Sequence, residues 1–358
     1  MFDLPKELNK QIQGLLLDAV RVAVKNPPMA RYLAHVQGYL KRAEKLRERH
    51  EQEGLHVPPF LIASITDACN LCCSGCYAQA NSCGRVKRPE LTTARWRELF
   101  GEARALGVSF ILLAGGEPLM RRDILELAAD FPEILFPVFT NGTKFDEEYL
   151  KLFKNSRNIL PVLSLEGSRA ATDSRRGDGV YDRLAGAMRA LESDSIFFGA
   201  SVTVTRENIG EVTGDDFVNM LDETGCSLVF YVEYVPSDEK SENLAPDEAD
   251  RKRIMAQTAG LRARHRMVFI DFPGDESLMG GCLAAGRGFF HIAADGSAEP
   301  CPFSPYSQLN LNDCTLRQAL ESDFFRRLRE CGLLDAPHSG GCVLFERRGQ
   351  VEEIVKTQ

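Results

Sequence analysis

Residues 66 to 77 read Thr-Asp-Ala-Cys-Asn-Leu-Cys-Cys-Ser-Gly-Cys-Tyr, and they follow an apolar run, Phe60–Thr66, that predicts a strand. In this loop, Cys69, Cys73 and Cys76 have the spacing C-x3-C-x2-C. Closely spaced thiolates are soft ligands that select an iron–sulfur cluster, zinc or copper(I). Because a [4Fe–4S] cluster ordinarily takes four cysteine ligands, three in one loop would leave one iron open to a small molecule.

A second interpretation of the loop is a zinc site, because the four cysteines of residues 69–76 form two C-x2-C pairs. The two pairs follow each other without an intervening residue, so four bonds to one ion would strain the loop. Cys72 and Cys83 have no ligand role in the cluster interpretation. A zinc-binding interaction module and a non-catalytic iron–sulfur electron carrier remain the alternatives to an enzyme.

Outside this loop, short apolar runs alternate with amphipathic helical segments as far as residue 265. Repeated strand–helix units imply parallel pairing with right-handed crossovers. Six units are too few for a closed eight-stranded barrel, so we expect an α/β fold, a partial (β/α)6 TIM-type barrel with its chemistry at the carboxyl ends of the strands. The six predicted strands are Phe60–Thr66, Ser109–Leu113, Leu135–Thr140, Ile159–Leu165, Gly199–Thr205 and Ser227–Tyr234.

The composition excludes several functional classes. The chain has 358 residues, with 43 Lys and Arg against 51 Asp and Glu, and this net charge of −8 gives no argument for a nucleic-acid partner. No segment approaches about 18 uninterrupted apolar residues and the first ten residues contain no apolar signal core, so we expect a cytoplasmic protein with no membrane partner. In that reducing compartment, 11 cysteines are interpreted more readily as metal ligands than as disulfides.

The cysteine loop resembles that of the radical S-adenosylmethionine (SAM) enzymes, whose C-x3-C-x2-C motif follows the first strand of a partial (β/α)6 barrel. A second agreement is the run Gly115, Gly116, Glu117 and Pro118 after the second predicted strand, where the family carries a GGEP motif at the methionine amino group of SAM. Glycines let the backbone approach a ligand closely, and a carboxylate accepts hydrogen bonds from an ammonium group. The resemblance covers residues 61–234 and implies that these four residues bind SAM.

The resemblance also implies cofactor contacts at later strand ends. Asn141 follows the third strand, and Ser164 and Glu166 lie at the end of the fourth. Arg175 or Arg176 resembles the arginine of an R-x-G segment that often lies near the bound cofactor. Polar residues of the fifth and sixth strands are further candidates: Ser201, Thr203, Tyr231 and Glu233.

One departure from the family concerns the residue directly before the third cysteine of the motif. Many members have an aromatic residue there, but this chain has Gly75, and Tyr77 follows the cysteine instead. We therefore take Tyr77 as the aromatic candidate for contact with the cofactor.

A second group of cysteines lies in the C-terminal quarter. Cys282, Gly296 and Cys301 have a spacing that resembles the start of the SPASM and twitch auxiliary-cluster domains. Between the cysteines, Asp295 and Gly296 predict a hairpin turn that brings both thiols to the same end. The longer cysteine array of SPASM domains is absent, so the resemblance implies one auxiliary [4Fe–4S] cluster.

The ligands of this auxiliary cluster follow from the same resemblance. Cys282, Cys301 and Cys342 are the first three. Cys331, at the end of a predicted helix Leu316–Cys331, is the first candidate for the fourth ligand, and Cys314 is the second. If neither thiol reaches the cluster, one of its irons would be open to substrate.

The function implied is that of a radical SAM oxidoreductase or maturase. Its reduced cluster, supplied by an external electron donor such as a flavodoxin or ferredoxin, would cleave SAM to a 5′-deoxyadenosyl radical. That radical would abstract hydrogen from a peptide side chain or a small molecule. We expect a helical extension over residues 1–55, the barrel over 56–272 and the auxiliary-cluster domain over 273–358.

Overall fold

The computed structural model of the protein describes residues 3–82, 88–236, 239–272, 279–336 and 342–356. Cys83 and residues 273–278, at the expected boundary between the barrel and the auxiliary domain, lie outside this part. None of the helices in the described part combines the length and the apolar character needed to cross a membrane.

In the described part of the chain, nine strands form one sheet in the order β7-β6-β5-β4-β3-β2-β1-β8-β9. Neighbouring strands from β7 through β8 are parallel, and β9 is antiparallel to β8. The long runs of buried apolar residues in these strands are typical of a parallel sheet that is covered on both faces. The strands are β1 (Phe60–Ser64), β2 (Phe110–Ala114), β3 (Phe136–Thr140), β4 (Ile159–Leu165), β5 (Gly199–Val204), β6 (Leu228–Glu233), β7 (Val268–Phe272), β8 (His291–Ile292) and β9 (Ala298–Glu299).

Helices precede the sheet, connect its strands and complete the C-terminal part. The first two are α1 (Leu4–Val22) and α2 (Pro27–Gln52), and Asn26 caps α2 by accepting a hydrogen bond from the backbone of Met29. The others are α3 (Tyr77–Ser82), α4 (Thr93–Leu106), α5 (Arg122–Ala128), α6 (Glu147–Asn155), α7 (Arg169–Arg176), α8 (Val180–Ser193), α9 (Ile209–Val212), α10 (Asp215–Glu223), α11 (Glu248–Arg264), α12 (Leu316–Leu320), α13 (Asp323–Glu330), α14 (Val343–Glu346) and α15 (Arg348–Lys356).

The partial-barrel prediction is confirmed, but the count of six strands was too low. Strand β7 extends the parallel sheet beyond β6, and β8 of the predicted hairpin pairs with β1 at the other edge. The helix expected over residues 316–331 was also wrong, because it divides into α12 and α13. The first segment ends at Leu320, and Ser322 caps the second by accepting a hydrogen bond from the backbone of Phe325.

The N-terminal helices close the amino end of the curved sheet. Apolar side chains of α2 form a buried cluster with residues at the start of β5, β6 and β7, and the apolar face of α1 packs against it. The active edge of such a sheet is the carboxyl end of its strands, so α1 and α2 lie at the opposite end from the cysteine loop. The cluster includes Met29, Leu33, Leu40, Phe197, Leu228 and Val268.

Candidate functional site

The cysteine loop follows β1 at the carboxyl edge of the sheet, and it brings three thiols close together. Burial raises the pKa of Cys69 and of Cys73, and the thiol of Cys76 raises both further. All three thiols line the same cavity. Cys72 lies exposed in the same loop. The three cysteines of the C-x3-C-x2-C motif, Cys69, Cys73 and Cys76, therefore face a common space.

Two glycines after β2 hold this loop by direct backbone contact. A Cβ atom on Gly115 would lie 2.3 Å from the carbonyl oxygen of Thr66, and one on Gly116 would lie 2.1 Å from that of Ala68. The backbone of Gly116 donates a 2.6 Å hydrogen bond to Thr66, and that of Glu117 donates a 2.8 Å bond to Ala68. The glycines thus admit the cysteine loop itself, whereas sequence reasoning assigned their small size to the approach of a ligand.

Glu117 is buried beneath the loop with only 1% of its surface exposed. Its Oε1 accepts hydrogen bonds from the Thr140 hydroxyl at 2.6 Å and the Leu119 backbone at 2.9 Å, and its Oε2 accepts one from the Asn141 backbone at 2.8 Å. Burial raises the pKa of this carboxyl group. A carboxylate oxygen has two lone pairs, and Oε2 accepts one hydrogen bond from the described residues. Glu117 also lines a cavity.

Asn141 connects the end of β3 to the cysteine loop. Its Nδ2 donates a 3.0 Å hydrogen bond to Oδ1 of Asn70, within the loop. Its Oδ1 accepts from the backbone and the hydroxyl of Thr143, and that hydroxyl accepts a bond from Asn70. This closed set of bonds fixes the loop against β3, and Asn141 also lines the cavity.

Glu166, just after β4, forms a buried ion pair with two arginines of α7. The Nη1 atom of Arg175 lies 2.7 Å from one carboxylate oxygen, and Nε of Arg176 lies 2.8 Å from the other. Arg175 also exchanges hydrogen bonds with the backbone of Ser74 in the cysteine loop. Both arginines line the cavity, together with Ser164 of β4, whereas Glu166 lies behind them.

Arg176 places a positive charge beside the cysteine trio. Burial lowers its pKa, but Glu166 and the thiols of Cys73 and Cys76 outweigh this effect and raise the pKa overall. In turn, Arg176 opposes the rise in the pKa of Cys73. A buried cation at this position stabilises negative charge on sulfur.

An internal cavity of about 740 Å³ extends from the cysteine loop toward α1 and α2. Its end near the loop carries polar side chains, among them Ser201, Thr203 and Glu233. The remainder is mostly apolar and rich in aromatic rings, which is typical of a pocket for an organic ligand. These rings include those of Phe60, Phe110, Phe139, Phe230, Phe272 and Phe289.

Tyr234, directly after β6, was not found by sequence reasoning. It is 3% exposed, lines the cavity, and its hydroxyl group has no hydrogen-bond partner within the described residues. A Cβ atom on Gly75 would lie 2.5 Å from that hydroxyl oxygen. The side chain that Gly75 lacks is therefore replaced in space by the ring of Tyr234. The signal was the alternation along β6, which directs Phe230, Val232 and Tyr234 to one face.

Tyr231, a further candidate on β6, points away from the cavity. Its hydroxyl group donates a 2.7 Å hydrogen bond to the carbonyl oxygen of Val212, in the helical layer outside the sheet. It does not line the cavity.

Tyr77 begins α3 and lies between the cysteine loop and the C-terminal cysteines. Its ring packs edge to face against Phe303 with the ring centroids 5.1 Å apart. Burial raises the pKa of Tyr77, and Cys76, Cys301 and Glu299 raise it further. Tyr77 also lines the cavity, so it contacts both parts of the molecule.

Three C-terminal thiols come together next to β9. Cys282, Cys301 and Cys342 are buried, and burial, together with the other two thiols, raises the pKa of Cys301 well above its usual value. Cys331 is exposed at the end of α13, and its thiol donates to the carbonyl oxygen of Leu328. The structure does not bring it among the buried three.

Two further cysteines of the described part, Cys314 and Cys226, belong to neither group. Cys314 is half-buried beside Arg95 and Glu102, and Cys226 is buried in the core, where its thiol donates to the carbonyl oxygen of Leu228. Within the described ranges, no three His, Cys, Asp or Glu side chains converge closely enough to hold a single metal ion.

The sequence did not predict a row of buried hydrogen bonds that connects β1 with the hairpin of β8 and β9. His291 lies between the hydroxyl of Ser64 and the carboxylate of Glu299, at 2.8 Å from each. No motif marks these residues, because β8 reaches β1 only through tertiary pairing.

Comparison with known proteins gives consistent results. Residues 63–222 match the Radical SAM superfamily. The chain is 27% identical to the AdoMet-dependent heme synthase of Methanosarcina barkeri over 302 residues, which cover 76% of this chain and 85% of that protein. It is 28% identical to the mycofactocin maturase MftC of Mycolicibacterium smegmatis, over 84% of this chain and 81% of the maturase.

Solved structures share the fold. Streptococcus suis SuiB bound to S-adenosylmethionine superposes with a TM-score of 0.64 at 18% identity, covering 79% of this chain and 70% of SuiB. SuiB bound to its precursor peptide SuiA gives the same TM-score at 19% identity, covering 81% and 71%.

Proposed function

This chain belongs to the radical SAM superfamily, and from that premise we propose that Cys69, Cys73 and Cys76 hold the [4Fe–4S] cluster at which SAM is cleaved. The carrying observation is the convergence of these three thiols at the mouth of the cavity. Three soft donors in one loop suit a cluster that keeps one iron for a further ligand.

The residues around the trio fit SAM as well as the cluster. Glu117 offers a buried acceptor position for an ammonium group, and the unpartnered hydroxyl of Tyr234 offers a donor or acceptor beside the loop. When bound, the cluster supplies the electron that converts SAM to methionine and a 5′-deoxyadenosyl radical, the species that removes hydrogen from the substrate.

The chain's own residues position the cysteine loop, contact the cofactor and exclude water. Gly115, Gly116 and Pro118 fix the cysteine loop and the start of the next helical turn, while Asn141 ties the same loop to β3. Helices α1 and α2 close the far end of the sheet and exclude water from the cavity. We assign Ser164 and Arg175 to cofactor contact because they line the cavity, and Glu166 to holding the arginines in position.

The substrate is a peptide or a small molecule. The relatives include enzymes named for heme synthesis and enzymes named as maturases, and SuiB was solved with a precursor peptide. The aromatic, mostly apolar lining of the cavity favours a substrate that inserts an apolar or conjugated group, such as an aromatic side chain or a tetrapyrrole edge.

We further propose that Cys282, Cys301 and Cys342 hold one auxiliary [4Fe–4S] cluster and that residues 273–358 form its domain, after the barrel of residues 56–272 and the extension of residues 1–55. The burial of all three thiols, and the rise that the other two cause in the pKa of Cys301, support this assignment. A flavodoxin or ferredoxin is the class of protein that would deliver electrons.

The test is anaerobic reconstitution with iron and sulfide, followed by dithionite and SAM, with 5′-deoxyadenosine measured by chromatography. The enzyme should release this product, and the release should rise when the correct peptide or tetrapyrrole is added. A protein that binds iron but leaves SAM intact would be an electron carrier, and one that binds zinc without iron would be an interaction module.

A further inference from the structure

The chain turns sharply directly after the second of the C-terminal cysteines. Cys301 and Ser304 form an isolated antiparallel bridge, and the backbone of Ser304 donates a 2.9 Å hydrogen bond to the carbonyl oxygen of Cys301. Residues directly opposite each other in an antiparallel pair carry their side chains on the same face. The Cys301 thiol and the Ser304 hydroxyl therefore project from the same side of this turn.

The hydroxyl of Ser304 is buried and unsatisfied. The residue is 1% exposed, and within the described part of the chain its Oγ has no hydrogen-bond partner. A buried hydroxyl without a partner is costly, because it has lost its hydrogen bonds to water. Such a group in a folded protein therefore points to an ordered water, an ion or a cofactor. Its neighbour Cys301 belongs to the buried thiol trio.

The spacing of the two residues is that of a metal-binding pair. Cys301-Pro302-Phe303-Ser304 has the form C-x2-S, and C-x2-C is the spacing at which two thiols reach one zinc ion or one iron–sulfur cluster. The thiol of Cys301 also accepts a hydrogen bond from the backbone of Phe303, so the turn folds back over the sulfur. Ser304 occupies the position of the second cysteine.

We propose that Ser304 Oγ is the fourth ligand of the auxiliary cluster held by Cys282, Cys301 and Cys342. This inference rests on the proposed auxiliary cluster. On binding, the Oγ–H bond breaks, the proton leaves to solvent, and an iron–oxygen bond forms. The cluster is then closed by four protein ligands, and its role is electron transfer with no iron open to substrate.

The proposed ligand has a measurable consequence. Alkoxide oxygen is a harder donor than thiolate, so it favours the oxidised, more ferric state of the cluster and lowers its reduction potential. A cysteine at residue 304 should therefore raise the potential of the auxiliary cluster, and an alanine should leave one iron open to an added ligand.

The experiment uses the full chain with Cys69→Ala, Cys73→Ala and Cys76→Ala, which leaves the C-terminal cluster to be observed by EPR after dithionite reduction. Cyanide is the probe for an open iron. Ser304→Ala and Ser304→Cys are compared with Ser307→Ala, whose hydroxyl donates to the carbonyl of Leu309. If the triple variant does not fold, the series is repeated with the native N-terminal cysteines. The open iron of the N-terminal cluster then binds cyanide in every protein, so only the EPR signal of the auxiliary cluster is compared.

We expect cyanide to change the EPR spectrum of Ser304→Ala but not those of the parent, Ser304→Cys or Ser307→Ala. The potential of Ser304→Cys should be higher than that of the parent. The assignment of Ser304 would be overturned if the auxiliary cluster of the parent already binds cyanide. It would also be overturned if Ser304→Ala and Ser304→Cys both lose the auxiliary cluster while Ser307→Ala keeps it.

A separate iron analysis distinguishes this failure from failure of the proposed auxiliary cluster. Replacing Cys282, Cys301 and Cys342 by alanine in the chain with native N-terminal cysteines should remove about four irons. If no iron is lost, the auxiliary cluster itself is wrong, whatever the result at Ser304.

Discussion

The side chain of Asn81 donates a 2.8 Å hydrogen bond to the carbonyl oxygen of Pro302. Asn81 lies on α3, which begins directly after the third cysteine of the N-terminal loop, and Pro302 directly follows Cys301. Together with the packing of Tyr77 on Phe303, this bond joins the two cysteine groups through one helical turn. The arrangement suits electron transfer between two clusters without a large movement of the chain.

Replacing Gly116 by alanine should prevent the N-terminal cluster from forming. The added Cβ would lie 2.1 Å from the carbonyl oxygen of Ala68, so the cysteine loop must move. We expect reconstituted Gly116→Ala to lose about four irons and its 5′-deoxyadenosine release. The matched control is Gly186→Ala in α8, where no atom lies within 4 Å of the added Cβ, and where stability should rise by about 0.4–1 kcal/mol. Full iron content in Gly116→Ala would contradict this account.

Removing the hydroxyl of Tyr234 should weaken SAM binding without weakening the fold. The hydroxyl has no partner in the described residues, so Tyr234→Phe removes no bond from the protein. A lost hydrogen bond to SAM of about 1 kcal/mol would raise the Kd roughly fivefold, as measured by equilibrium dialysis with the oxidised cluster.

Tyr231→Phe provides the opposite control for this prediction. Its hydroxyl donates to Val212 on the outer side of the sheet, so the variant should lose stability and keep its affinity for SAM. If Tyr234→Phe and Tyr231→Phe bind SAM with equal affinity, Tyr234 does not belong to the SAM site.

Removing the charge of Arg176 should lower the reduction potential of the N-terminal cluster, because the added electron loses a nearby cation. Redox titration followed by EPR measures the shift in Arg176→Gln. The double variant Glu166→Gln/Arg176→Gln should show a smaller shift in the reduction potential, since it removes both charges of the buried pair. Arg169→Gln, which alters an exposed ion pair with Asp182, should leave the potential unchanged. A shift of the same size in Arg169→Gln would refute a local effect.

Because α2 covers the amino end of the sheet, we expect alanine substitutions at two leucines to differ in their effect on the stability of the protein. Leu33→Ala creates a cavity in the buried cluster and should cost about 2–5 kcal/mol. Leu17 on α1 is 59% exposed, so Leu17→Ala should be nearly neutral. Thermal unfolding compares the melting temperatures of the two variants. Equal melting temperatures would contradict the proposed closure.

Much of the fold could be predicted because its signals are local. The period of the apolar residues located six strands, and Asp295-Gly296 located the hairpin of β8 and β9. The pairing of β8 with β1 was beyond sequence reasoning, since a two-residue strand is defined only by its tertiary partner.

For the site, sequence motifs predicted the chemistry of the residues better than they predicted the contacts between them. The cysteine spacing selected three of the four thiols in the loop as ligands, and that choice stays a prediction. The glycines after β2 contact the backbone of this loop, a constraint with no sequence signature. Tyr234 and Ser304 carry no motif either. Each is identified by a buried hydroxyl without a partner in the described residues, a property that exists only in three dimensions.

The most direct test of the central assignment compares single alanine variants of the four cysteines in the N-terminal loop, with 5′-deoxyadenosine release from SAM under dithionite as the readout. Cys69→Ala, Cys73→Ala and Cys76→Ala should each abolish release, while Cys72→Ala, exposed in the same loop, should retain it. Loss of release in Cys72→Ala, or its survival in any of the other three, would contradict a cluster held by those three thiols.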